Sequence, residues 1–115
     1  MAGNLTEPVI YVQEPPKPSE TTQDIFLRLS ADYGAITREI AYAIGEAESN
    51  FRNVENTRGR KYGIGVFQFT EQTFSEQCEG SVDNAEDNIS CALKLIDKDE
   101  FYRWDASKDK WFPKL

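Results

Sequence analysis

Ile36-Thr37-Arg38-Glu39-Ile40-Ala41-Tyr42-Ala43-Ile44-Gly45-Glu46-Ala47-Glu48-Ser49-Asn50-Phe51 sets the architecture of this chain. Ile36, Ile40, Ala43, Ile44 and Ala47 recur at three- and four-residue steps, which predicts a helix from about Ile36 with one apolar face. Arg38, Glu39 and Glu46 fall on the other face. Glu48 stands one turn beyond Ile44 and two beyond Ile40, so helical geometry puts its carboxyl on the apolar stripe and predicts partial burial. Burial raises a carboxyl pKa because the charged form loses hydration, and an acid that keeps its proton near neutrality is what proton donation to a leaving group requires. The alternative is a solvated glutamate at a fraying helix end.

Upstream, Ile25, Phe26, Leu29 and Tyr33 predict a helix from Thr22, with Gly34 as its C-cap. Residues 49–61 are polar and read as an irregular connection. Tyr62-Gly63-Ile64-Gly65-Val66-Phe67-Gln68-Phe69 combines glycines with β-prone residues and suggests a short bent strand or hairpin. Thr70 is the expected N-cap of a helix through about Gln77, with Glu71 in its first turn. Asp83 or Asn84 caps a further helix, in which Ala85, Ile89, Ala92, Leu93 and Ile96 form an apolar stripe. The tail carries Phe101, Tyr102, Trp104, Trp111 and Phe112. The expected fold is mostly α, with helices around a cleft and a small β element in the middle. Residues 1–21, with Pro8, Pro15, Pro16 and Pro18, form an arm or linker, and 22–115 form the domain. Within the arm the β-prone run Val9–Val12 reads as a strap against the domain or as part of a tether.

With 115 residues the chain has room for one hydrophobic core. Thirteen Lys and Arg against 20 Asp and Glu give a formal charge of −7, and no basic run exists, which disfavours nucleic acid and anionic membranes as partners. There is no histidine, which removes Ser-His and Cys-His nucleophile pairs and most zinc sites. No apolar run is long enough for a membrane span. Cys78 and Cys91 enclose a short loop that suits a disulfide and an oxidising compartment; two buried free thiols are the other reading.

Several separated motifs occur in order. Glu48-Ser49-Asn50-Phe51 is followed by Gly65-Val66-Phe67-Gln68, by Thr73 five residues after the Gln, and by Asn88-Ile89 within a helix. Over roughly residues 22 to 111 the chain resembles the lysozyme-like soluble lytic transglycosylases, whose pattern is Glu-Ser-x-Phe, Gly-x-x-Gln and a Thr at that distance. The resemblance implies Glu48 as the catalytic acid, Ser49 as support for it or for the adjoining subsite, and Gln68 as a hydrogen-bonding partner of the sugar chain. Tyr62 and Phe67 in the middle segment, with Tyr102 and Trp104 downstream, are the expected substrate-binding aromatics; for the last two, core packing is the competing role. Asn88 matches an Asn whose role is more structural. The chain departs from the family in carrying Thr70-Glu71 where Met-Pro is common, and in lacking a distal Tyr-Asn motif.

The resemblance implies cleavage of the MurNAc–GlcNAc bond of peptidoglycan with 1,6-anhydro ends, by a monomeric extracytoplasmic enzyme that needs no metal or organic cofactor. The Pro-rich start would then remain from a removed signal or anchor. Most glycosidases use two carboxylates, and Glu55, Glu71 and Asp83 are the candidates for a second. A hydrolase on the same scaffold or a non-catalytic glycan-binding module are the alternatives.

Overall fold

The computed structural model describes residues 20–115 as a succession of helices: α1 (Thr22–Ser30), α2 (Ala35–Ser49), α3 (Glu71–Gln77), α4 (Ala85–Asp97) and α5 (Lys108–Trp111). Tight 3-10 turns occupy Arg60–Tyr62, Phe101–Ser107 and Phe112–Lys114. The fold is mostly α-helical, as the periodicity predicts. The Val9–Val12 run lies outside the described residues.

Helix α1 begins in a reciprocal cap. The Thr21 hydroxyl accepts from the Asp24 backbone N–H at 3.0 Å, and the Asp24 carboxylate accepts from the Thr21 N–H at 3.1 Å. Glu20 pairs with Arg28 at 2.7 Å. Glu20 and Thr21, the last residues of the expected arm, are thus both hydrogen-bonded to α1. The helix ends at Ala31, and Gly34 serves as the N-cap of α2 rather than closing α1. Its φ of −69° is open to any residue, so the glycine there is no stop signal.

Helix α2 starts at Ala35, and its buried face runs through Ala41, Ala43, Ile44, Gly45 and Ser49. Ile36 is 75% exposed and does not belong to that face, contrary to the stripe inferred from spacing. The face is built from small residues because Phe51 folds back beneath it. A Cβ at Gly45 would lie 2.8 Å from Phe51 Cζ. Helix α4, with Ile89, Ala92, Leu93 and Ile96 buried, packs against both α1 and α2 and forms the centre of the core. No helix among the described residues is long and apolar enough to cross a membrane.

The expected strand or hairpin at Tyr62–Phe69 is reduced to two isolated antiparallel bridges, Glu55 with Ile64 and Ile64 with Phe69. Left-handed backbone at Gly65 (φ 84°) and Gln68 (φ 54°) reverses the chain within four residues.

Cys78, at the C-terminal end of α3, and Cys91, within α4, form a disulfide. Closing a loop of this length is worth about 3 kcal/mol through the unfolded chain's lost entropy. Reduction is therefore expected to lower the thermal midpoint by on the order of 10–20 °C. Calorimetry with and without reductant checks this, and an unchanged midpoint would refute it.

Candidate active site

The last turn of α2 presents Glu48. Asn50 (φ 56°) and Phe51 (φ 58°) stop the helix in two consecutive left-handed conformations, rare for residues with side chains. The Asn50 N–H donates to the Glu46 carbonyl at 2.9 Å and the Phe51 N–H to the Gly45 carbonyl at 3.3 Å. The conformation persists because Phe51 is locked: its ring packs edge-on to Phe26 and Phe67, and its carbonyl accepts from the Thr22 hydroxyl.

Three side chains from three separate elements converge on the turn Gly65–Gln68. The Ser49 hydroxyl, buried, donates to the Val66 carbonyl at 2.7 Å. Asn88, fully buried on α4, accepts from the Phe67 N–H at 3.0 Å and donates to the carbonyls of Ile64 (3.1 Å) and Val82 (3.0 Å). The Trp104 indole N–H donates to the Phe67 carbonyl at 2.8 Å. Each satisfies a backbone group that burial would otherwise leave unpaired. The motif residues separated in the sequence therefore meet at one place. Gly65 is required there: a Cβ would sit 2.2 Å from Asn88 Nδ2.

Glu48 itself is half-buried and accepts a hydrogen bond at Oε2 from the Ser107 hydroxyl. Burial pushes its carboxyl above the usual range, against the opposing pull of the Ser107 hydroxyl and the Lys110 ammonium.

The three candidate second carboxylates are brought together, but on a cation. Arg60 binds Glu55 at 2.7 Å, Asp83 at 2.9 Å and Glu71 at 3.4 Å. The hydrogen-bonded guanidinium holds the Asp83 carboxyl below its usual range. All three are exposed.

The expected aromatics divide. Phe67 is fully buried, edge-on to Phe51 and Trp104, and offers no surface to a ligand. Trp104 is 5% exposed and belongs mainly to the core. Tyr102 is 57% exposed. Tyr62 is also exposed, with the Arg58 guanidinium 4.4 Å from its ring centroid. A shallow groove of about 260 Å³ is lined by Gln68, Thr70, Thr73, Tyr102, Arg103 and the edge of Trp104. The Gln68 amide nitrogen donates to the carbonyls of Val54 (2.9 Å) and Gly65 (2.8 Å), so its N–H groups serve the turn. Glu48 does not line this groove; the Ser107 hydroxyl that donates to it also lies 3.2 Å from the carbonyl of Trp104, a residue of the groove's lining.

A larger hollow of about 550 Å³ between α1 and α2 is lined by Leu27, Tyr42 and Glu46 among others. Glu46 and Glu48, two residues apart, point about 200° apart around the helix. The half-buried carboxyl with the raised pKa sits on the Glu48 side, and size alone does not make the other hollow a site. No family model, curated protein or solved structure matches this chain.

Ser107, Lys110 and Arg60 carried no assigned role in the sequence. Ser107 lies three residues beyond Trp104 and four before Trp111, a spacing that marks a helical turn; that turn's return to Glu48 is a contact across 59 residues.

Proposed function

We propose that the chain cleaves peptidoglycan glycan strands as a lytic transglycosylase, with Glu48 as its single acid and base. The observation that carries this reading is the half-buried Glu48, raised by burial and hydrogen-bonded among the described residues only to a hydroxyl, while the other candidate carboxylates are exposed and paired with Arg60. A site with one such acid favours a substrate that brings its own second group. The order of Glu48-Ser49, Gly65–Gln68, Thr73 and Asn88, resembling the transglycosylases, supports the same substrate.

In this reaction Glu48 gives its proton to the bridging oxygen as the bond to the MurNAc anomeric carbon breaks, and the oxygen of the substrate's N-acetyl group bonds to that carbon. The Glu48 carboxylate then takes the proton of the 6-hydroxyl. That oxygen displaces the acetamido oxygen, leaving a 1,6-anhydro end and a reprotonated Glu48. No water is consumed. The exposed Tyr102 and the Thr70–Thr73 edge of the groove offer an apolar face and hydroxyls suited to a pyranose. The disulfide fits an extracytoplasmic setting, where the substrate is found.

Mass analysis of soluble products from purified peptidoglycan tests the reading. Anhydro-muropeptides are expected. Reducing ends would transfer the assignment to a hydrolase, and binding without products to a glycan-binding module.

A further inference from the structure

We propose that Ser107 is the positioning residue of the Glu48 site: by donating to Oε2 it reserves Oε1 as the oxygen that delivers the proton and later retrieves one. This rests on the reading of Glu48 as acid and base. The Ser107–Oε2 hydrogen bond is the only one that Glu48's side chain makes among the described residues, and none of them donates to Oε1. A hydroxyl has one proton to give. While that proton points at Oε2, this oxygen accepts, and the proton of the neutral carboxyl belongs on Oε1.

The same contact serves the second half of the cycle. Once Oε1 has lost its proton, the bond to Ser107 becomes charge-assisted and strengthens, which stabilises the carboxylate at the moment a base is required. Burial favours the acid form and Ser107 favours the base form, so one group can act as both. The residue is held for this task. It opens α5 (Lys108–Trp111), its hydroxyl also lies 3.2 Å from the Trp104 carbonyl, and that carbonyl accepts from the buried Trp111 indole at 3.0 Å. Of the charges on the elements packed against α2, Lys110 acts on Glu48, whereas Arg103 is held by Glu100 and Lys114 by Glu46.

The test is a carbon-13 NMR titration of the Glu48 carboxyl in the full chain, alongside kcat and KM, for the native protein, Ser107→Ala and Ser107→Thr. In Ser107→Ala the titration is expected to move to higher pH, the alkaline limb of the rate profile to move with it, and kcat to fall roughly tenfold with KM unchanged. Ser107→Thr, which keeps the hydroxyl, is expected to restore all three. An unmoved Glu48 titration in the alanine variant overturns the proposal; so does a threonine variant that titrates apart from the native protein, which decides the matter if alanine fails to fold. The titration needs no turnover, so an inactive native protein would count against the transglycosylase reading and leave the Ser107–Glu48 linkage to be judged separately.

Discussion

Glu48→Gln is expected to lower release of anhydro-muropeptides by about 10²–10⁴-fold, the usual worth of a positioned proton donor. The variant should also fold at least as well as the native chain at neutral pH. Glu48's folded pKa is raised above the ordinary 4.5, so its contribution favours the folded state fully below 4.5 and is lost as pH rises through the raised folded value. Above that value an ionised carboxylate in a half-buried position weighs against folding, and glutamine carries no such burden. The thermal midpoint of the variant relative to the native protein should therefore climb with pH. Full activity in Glu48→Gln would remove Glu48 from the mechanism, whereas lost activity with a preserved midpoint would separate chemistry from folding.

Asn88→Ala is expected to have the largest effect on stability, a loss of about 3–5 kcal/mol. Its amide is completely enclosed and pairs with Phe67 N–H and with the carbonyls of Ile64 and Val82. Alanine leaves the Phe67 N–H and the Val82 carbonyl without this partner where water cannot readily replace it, while the Ile64 carbonyl keeps the Phe69 N–H, and it opens a cavity beside Gly65. Chemical denaturation should show a much reduced midpoint. A change under about 1 kcal/mol would mean that the turn finds other partners. Activity should fall with stability, because the turn Asn88 holds also accepts a hydrogen bond from Ser49, the residue beside Glu48.

Local periodicity carried much of the fold. The spacing of Ile40, Ile44 and Glu48 predicted a half-buried acid, and Thr70 and Asn84 cap α3 and α4 as their side-chain chemistry requires. Asn88 reads as structural by resemblance alone, and its buried amide pairs with three backbone groups. What local pattern missed depends on contacts distant in sequence. Ile36 continues the helical repeat but meets no packed surface, since the repeat says which residues share a face and not where that face ends. The glycines of Tyr62–Phe69 suggested a strand, but φ values of 84° and 54° at Gly65 and Gln68 make a turn instead. Aromatic identity could not divide Tyr102, which is exposed, from Trp104, whose indole N–H is drawn inward by a carbonyl 37 residues away. The gathering of Glu55, Glu71 and Asp83 on Arg60 has the same character, because each pairing depends on the folded path of a loop.

The disulfide between Cys78 and Cys91 also bears on how the domain meets proteases. The exposed connection through Glu79, Gly80 and Ser81 is the kind of segment a protease cuts first. A single cut there falls inside the covalent ring, so both halves of the chain stay attached. The severed ends can spread only as far as the bridge allows, while Asn88, beyond the cut, still grips the turn beside Glu48. A nick at this place would register as two fragments after reduction and as one molecule before it.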